Sequence, residues 1–123
     1  AMQSLAEAGN AVVVGRGGAI ILKDMPEVLR VGIAARLEDR VSRIIEREKV
    51  DEKQANTIIA DRDNARQFYF KRFFGIESSN DPSLYHMSIN TSEIGVDYAA
   101  NVVVAAAEAL KKGEFGLKTP HLA

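Results

Sequence analysis

Two short valine-rich runs, separated by a glycine turn, constrain the fold of this chain more than any other feature. The runs are Ala11–Val14 and Val28–Ala35, and the turn is Gly15–Gly18 with the sequence GRGG. Apolar runs of this length are typical of strands buried on both faces of a parallel sheet. We therefore predict an α/β fold in which the first strand leads into the turn at the carboxyl edge of the sheet.

The turn itself carries candidate ligand-binding residues. Glycine lets the backbone turn tightly or approach a ligand closely, and arginine offers a planar fork of donors to phosphate or carboxylate. Gly15, Arg16 and Gly17 are therefore candidates for binding an anionic substrate at the sheet edge, where open α/β folds bind ligands. The alternative is an ordinary strand-to-helix turn whose arginine pairs with a neighbouring acid.

The composition excludes several classes of site. The chain has 123 residues, a formal net charge of −1 and no cysteine, which rules out a thiolate nucleophile and a cysteine-based zinc site. Its overall charge does not favour nucleic acid, and no apolar run reaches the roughly 18 to 20 residues of a membrane span. We expect one partial α/β domain over residues 1–112, a loose tail over 113–123, and a cytoplasmic location.

A first amphipathic helix is predicted over Leu37–Lys49, with a buried apolar stripe and an adjacent basic face. The stripe consists of Leu37, Val41, Ile44 and Ile45, and the basic face of Arg36, Arg40, Arg43 and Arg47. Such a face is often solvated, with ion pairs worth only a few tenths of a kcal/mol each (~0.3). One or two of these arginines would instead face an anion if the helix begins at the ligand edge.

A second helix begins after Asp51, where Gln54 completes a capping box. Arg62 and Arg66 are four residues apart, so their guanidinium groups can converge, and Asp63 can orient Arg66. We predict that residues 51–75 form a mobile helical lid. The aromatic residues near its end, which suit core or interface packing, are Phe68, Tyr69, Phe70, Phe73 and Phe74.

The last third of the chain predicts a strand and a helix. Apolar and polar residues alternate over Tyr85–Thr91, which is typical of an edge strand. His86 lies in that strand and is expected to be solvent-facing or satisfied rather than catalytic. Thr91 or Ser92 is predicted to cap a final helix that ends at residues 111–113.

Four segments in this order resemble the C-terminal two-thirds of the cytidylate kinase-like family of P-loop kinases. The segments are VVVGRGG, VLRVGIAARLEDRVSRIIERE, DRDNAR followed by FYFKRFFG, and INTSEIGVDYAANVV. The resemblance implies a three-layer P-loop-kinase-like fold with a parallel sheet and a helical lid. It also implies ATP-dependent phosphoryl transfer to CMP or a similar nucleoside monophosphate, with magnesium accompanying ATP.

The resemblance also assigns roles to individual residues. Arg62, Asp63 and Arg66 match the catalytic lid segment, and Arg16, with Gly15 and Gly17, matches the turn near the acceptor nucleotide. The remaining matches are Arg40 and Arg43 on the basic, substrate-binding helix and Thr91 and Ser92 at a strand end. This pattern suits phosphoryl transfer, which depends chiefly on positive charge placed around the moving group.

Two departures from the family pattern leave alternatives open. Gly17 follows Arg16 where classical bacterial cytidylate kinases have aspartate, so the nucleoside is not specified. No P-loop motif occurs in the 123 residues, so the P-loop strand is expected to be missing and the chain alone is expected neither to turn over ATP nor to bind a metal. The alternatives are a non-catalytic nucleotide-binding or protein-interaction module and a structural oligomerisation module. An open sheet edge predicts a homo-oligomer or an exchange of elements.

Overall fold

The computed structural model describes residues 2–15 and 17–116, which form an α/β fold, as predicted. The helices are α1 (Met2–Ala8), α2 (Gly18–Ile21), α3 (Leu37–Glu48), α4 (Glu52–Phe74) and α5 (Val96–Lys111). The strands are β1 (Val31–Ala34) and β2 (Met87–Asn90), and a short 3-10 helix covers Pro82–Leu84. No helix in this described part has the length and apolar content to cross a membrane.

The strands β1 and β2 pair in parallel, with Val31 opposite Met87 and Ala34 opposite Asn90. They are the two strands of the sheet that the described residues form, and both lie within the predicted strand segments. Parallel strands need a long crossover connection. Here α3 and α4 supply it, so the carboxyl ends of both strands meet at one edge of the sheet.

The prediction of a strand at Ala11–Val14 is wrong, because this segment has no regular secondary structure. Val12 and Val14 are 90% and 85% exposed. A strand exists only when a neighbouring strand takes up its backbone hydrogen bonds, and no described residue pairs with this segment. Its apolar composition is therefore not sufficient to place it in the sheet.

The helices α3 and α4 share the main apolar core. Val41 and Ile44 from α3 pack against Ala55 and Ile59 from α4. Burying an aliphatic side chain of this size stabilises a fold by about 1.5–3 kcal/mol. Leu37, which was predicted to belong to the buried stripe, is 56% exposed. It lies in the first turn of α3, and the buried core residues of this helix begin one turn later, at Val41.

The helix α4 begins with the predicted capping box. Gln54 N–H donates to Asp51 Oδ1 at 2.8 Å, and Asp51 N–H donates to Gln54 Oε1 at 3.1 Å. After 23 residues the helix ends at Gly75, whose φ of 67° is the left-handed conformation that favours glycine. Ile76 N–H donates to the Phe70 carbonyl at 3.2 Å, so the chain folds back beside the helix.

The aromatic residues at the end of α4 divide between core and surface. Phe70 is buried, whereas Phe68 and Phe73 are exposed. The rings of Tyr69 and Phe73 lie 5.1 Å apart, and those of Phe70 and Phe74 lie 5.8 Å apart. The cluster therefore contributes to packing while leaving two phenylalanine rings accessible.

The His86 ring has a hydrogen-bond partner within the fold, as predicted. The ring Nδ1 accepts a hydrogen bond from the Arg30 backbone N–H at 2.9 Å, and the His86 backbone N–H donates to the Arg30 carbonyl at 2.8 Å. Desolvation by burial, reinforced by the nearby Arg30 charge, lowers the pKa of the imidazole. Phe115, in the segment predicted as a tail, lies edge-on to the imidazole with ring centroids 5.7 Å apart.

The predicted cap of the last helix is wrong. The cap residue of α5 is Gly95, because Glu93 and Ile94 donate their N–H groups to the Asn90 carbonyl and form a separate turn. Thr91 and Ser92 lie within this turn, and both make contacts with arginines instead.

Candidate functional site

The carboxyl ends of β1 and β2 are tied together where α3 begins. Thr91 N–H donates to the Ala34 carbonyl at 2.7 Å, and Arg36 N–H donates to Ser92 Oγ at 2.7 Å. The Arg36 side chain also forms an ion pair with Glu93. Ligands of open α/β sheets bind at this kind of edge, so side chains gathered here are candidates for a site.

Arg43 links α3 to the end of β2. Its Nη1 donates to Thr91 Oγ1 at 2.9 Å, and its Nη2 donates to the Thr91 carbonyl at 2.8 Å. Thr91 is buried, and its hydroxyl donates in turn to the Ala34 carbonyl at 3.0 Å. The Nη1 and Nη2 edge of the Arg43 guanidinium is therefore held at the carboxyl edge of the sheet.

Arg40 and Arg66 share one carboxylate between α3 and α4. Arg40 donates two hydrogen bonds to the Asp63 carboxylate, at 3.0 and 2.5 Å, in a bidentate arrangement. Arg66 Nη2 donates to Asp63 Oδ1 at 3.2 Å, so the two residues are in contact, as their spacing predicted. We call these three residues the arginine–aspartate cluster.

The charges in this cluster shift its ionisation equilibria. The hydrogen bond from Arg40 is the main cause that lowers the pKa of the Asp63 carboxyl, with further contributions from the Arg40 and Arg66 charges. The same hydrogen bond raises the pKa of Arg40. Asp63 is therefore an anion throughout the neutral range, and it sits between two cations.

Arg66 has a second partner that the sequence did not reveal. Its Nε donates to the Ser79 hydroxyl at 3.1 Å, and Ser79 is 4% exposed. Ser79 lies in the segment that folds back beside α4 after Gly75. Sequence patterns carry no signal for this contact, because it depends on the path of an irregular loop.

Arg62 lies apart from this cluster. Its two terminal nitrogens donate to the Glu48 carboxylate at 2.8 and 3.0 Å, and this hydrogen bonding is the main cause that lowers the Glu48 pKa. The expected convergence of Arg62 and Arg66 on one point is therefore absent from this structure, because each guanidinium has a different acidic partner. The catalytic role assigned to Arg62 stays a prediction.

The glycine turn contacts the far end of α4. Gly15 and Gly17 both have positive φ angles, 74° and 68°. Gly17 is buried against the Phe74 ring so closely that a Cβ there would lie 2.5 Å from Phe74 Cε2. Arg16, the predicted substrate-binding arginine of this turn, lies outside the described residues.

The arrangement is suited to binding an oxyanion. A guanidinium has five N–H donors, of which Arg40 uses two on Asp63. Phosphate and carboxylate accept the same bidentate pattern. Among the residues described, no three His, Asp or Glu side chains are grouped so as to hold a metal ion, so none is assigned to magnesium.

Comparison with known proteins places these features in a family. Residues 1–93 match the cytidylate kinase-like family. The cytidylate kinase of Methanoregula boonei is 29% identical over 107 residues, which are 86% of this chain and 57% of that protein. That of Methanocaldococcus jannaschii is 33% identical over 110 residues, covering 88% of this chain and 61% of that protein.

A solved structure agrees with the sequence comparison. The crystal structure of an uncharacterized protein from Eubacterium ventriosum superposes with a TM-score of 0.77 at 25% identity, covering 87% of this chain and 59% of that one. The chain thus spans about three-fifths of the length of these three proteins. The match over residues 1–93, together with the fold of these residues, shows that the chain belongs to the cytidylate kinase-like family.

Proposed function

We propose that this chain carries the acceptor-nucleotide side and the lid of a nucleoside-monophosphate kinase that transfers a phosphoryl group from ATP to CMP or a similar nucleotide. Family membership and two relatives named cytidylate kinase support the general activity. The finer parts of the proposal are a P-loop-kinase-like three-layer sheet, completed by a P-loop strand that these 123 residues do not contain, and residues 51–75 acting as a lid. Its domain limits are 1–112, with 113–123 as a tail.

The arginine–aspartate cluster is the observation that carries the proposal. Arginines from two different helices share one carboxylate close to the carboxyl edge of a parallel sheet. A nucleotide phosphate presents the same paired oxygens to a guanidinium and carries more charge, so it competes effectively for Arg40 and Arg66. Arg43 lies on the same face of α3 as Arg40, and its hydrogen bonds to Thr91 hold it at the carboxyl edge of the sheet.

In this mechanism the protein supplies charge rather than covalent chemistry. Arg16, with Gly15 and Gly17, and Arg40 with Arg43 bind the acceptor nucleotide. Arg66, oriented by Asp63, and Arg62, which pairs with Glu48 in this structure, stabilise the transferring phosphoryl group when the lid closes and excludes water. Magnesium would accompany ATP and neutralise part of its charge.

Titration calorimetry with CMP and with inorganic phosphate tests the anion site directly. Arg66→Ala and Arg40→Ala should each weaken binding roughly tenfold or more, because a charge-assisted hydrogen bond is worth about 1.5–3 kcal/mol. Arg72→Ala, a charge-matched control near the end of α4, should leave the affinity unchanged. Absence of binding by the unsubstituted chain, or equal losses in all three variants, would refute the site.

Two exposed phenylalanine rings on α4 are consistent with a second function. Phe68 and Phe73 project from α4 into solvent, which favours the alternative of a nucleotide-binding or protein-interaction module without catalysis. The kinase and a nucleotide-binding module both predict nucleotide binding, whereas a protein-interaction module does not. Only the kinase predicts CMP-dependent ATP turnover when a family P-loop segment is fused upstream of Met2. A fused chain that binds both nucleotides without turnover would favour the module.

Self-association stays a prediction. Val12, Val14 and Ile33 are exposed apolar side chains, and an uncovered strand edge favours pairing with a second copy. Sedimentation velocity over a concentration series would measure it, and a monomer at every concentration would contradict it. We also propose that the protein is cytoplasmic and does not bind nucleic acid.

A further inference from the structure

We propose that Ser79 is a positioning residue for Arg66, held in place from β1 through Tyr85. The inference rests on the proposed anion site and adds to it a residue that has no charge and would not itself touch the ligand. It explains why an irregular loop after the lid contains a buried serine.

The first link is the contact between Ser79 and Arg66. The Ser79 hydroxyl accepts from Arg66 Nε at 3.1 Å, while Asp63 Oδ1 accepts from Arg66 Nη2 at 3.2 Å. Nε and Nη2 form one edge of the planar guanidinium, so the two acceptors fix its orientation. Neither contact uses Nη1, and in this proposal Nη1 is the atom that donates to an incoming anion.

Asp63 alone is a weak support for Arg66. The two residues form an i,i+3 pair whose side chains are 47% and 36% exposed, and ion pairs of this kind contribute little in water. Asp63 is also held in a bidentate contact by Arg40. The buried hydroxyl of Ser79 is therefore the partner that restricts the Arg66 side chain most.

The second link runs from Ser79 to Tyr85. The Tyr85 hydroxyl donates to the Ser79 carbonyl at 2.6 Å, a short hydrogen bond that spans six residues of the loop. Within this span Asp81 caps the 3-10 helix by accepting from Ser83 N–H at 2.9 Å. The loop is thus closed on itself, and its position depends on where the Tyr85 ring sits.

The third link joins Tyr85 to the sheet. The Tyr85 ring packs on Gly32 in the middle of β1, where a Cβ would lie 3.0 Å from Tyr85 Cδ2. Glycine at this position lets the ring approach the strand, so a continuous path runs from β1 through Tyr85 and Ser79 to Arg66. Preorganising a long side chain in this way raises ligand affinity, because less conformational freedom is lost on binding.

The test compares two serines of the same loop. Ser79→Ala should weaken CMP and phosphate binding about fivefold to tenfold in titration calorimetry, as expected when a flexible side chain loses its preorganisation. Ser83→Ala, which removes an exposed hydroxyl that donates to Asp81, should leave the affinity within about twofold, as surface substitutions usually do. The second readout is the Arg66 Hε–Nε NMR signal, assigned by its loss in Arg66→Lys, which should shift in Ser79→Ala alone.

The outcomes separate this inference from the proposed function. If the unsubstituted chain binds neither CMP nor phosphate, both the proposed function and this inference are overturned. If Arg66→Ala weakens binding while Ser79→Ala changes neither the affinity nor the Arg66 signal, only this inference is overturned. Should Ser79→Ala unfold, Tyr85→Phe removes the supporting donor instead, and unchanged affinity and Arg66 signal in that folded variant would overturn it equally.

Discussion

Gly32→Ala would test how tightly β1 holds Tyr85. An alanine Cβ at this position would lie 2.9 Å from Ser88 Oγ and 3.0 and 3.2 Å from Cδ2 and Cε2 of Tyr85. The serine hydroxyl is the tip of a mobile side chain and rotates away. The tyrosine ring is anchored by its hydrogen bond to the Ser79 carbonyl, so the ring or the strand must shift.

Two opposing effects set the size of the loss. Replacing glycine by alanine inside a strand gains about 0.5–1 kcal/mol through the entropy of the unfolded chain. Inserting a methyl group into a contact without room costs about 1–3 kcal/mol. The steric cost wins, and we expect a net loss of about 1–2 kcal/mol. With a urea slope of about 1.5 kcal/mol per M, the unfolding midpoint would fall by roughly 1 M.

A double-mutant cycle identifies the cause of that loss. Equilibrium urea unfolding is measured for Gly32→Ala, Tyr85→Ala and the double variant. In the Tyr85→Ala background the ring is gone, so Gly32→Ala should be neutral or stabilising by up to about 1 kcal/mol. An equal loss in both backgrounds would refute the reasoning, and so would a gain in stability on the unsubstituted background.

Three further outcomes follow from contacts described above. Alanine substitutions at Arg40 and Asp63 should show a coupling free energy of about 1 kcal/mol in urea unfolding, because the two side chains are about two-thirds buried. This coupling should decrease in 1 M NaCl, which screens the ion pair. Additive effects of the two substitutions would contradict the ion pair. Asp51→Ala should cost about 1 kcal/mol by removing the helix cap, and a loss below about 0.3 kcal/mol would argue against the capping box. The lowered pKa of His86 means that the unfolded chain binds the proton more readily, so its contribution to stability is complete above about pH 6.5 and is lost as the pH falls below that value. The difference in unfolding free energy between pH 7.5 and 5.5 should therefore shrink in His86→Ala, and an unchanged difference would show that His86 does not titrate in this way.

Local signals in the sequence predicted those elements whose stabilising contacts are close along the chain. Asp51 and Gln54 are three residues apart and form the capping box, and Gly75 ends α4 with the expected left-handed φ. Asp63 and Arg66 are neighbours on one helix face and do pair. In each case the interaction is set by helix geometry alone, so residue type and spacing were sufficient.

Features that depend on distant segments were not predictable in the same way. The run Ala11–Val14 has the composition of a strand, but pairing requires a partner that composition does not name. The partner of Arg62 is Glu48, fourteen residues earlier, because α3 and α4 pack side by side. Ser79 reaches Arg66 through a loop whose path depends on Tyr85, so no spacing rule could identify it.

The length of α4 has a consequence for how the molecule opens. A helix of 23 residues extends about 35 Å, yet the α4 residues in the core shared with α3, Ala55, Ile58 and Ile59, all lie in its first half. Beyond Asp63 the helix is held in place by the packing of Phe70 and Phe74 and by the loop that folds back beside it. Backbone amides in the two halves should therefore exchange with solvent deuterium through separate opening events, with the slower exchange confined to the half that adjoins α3.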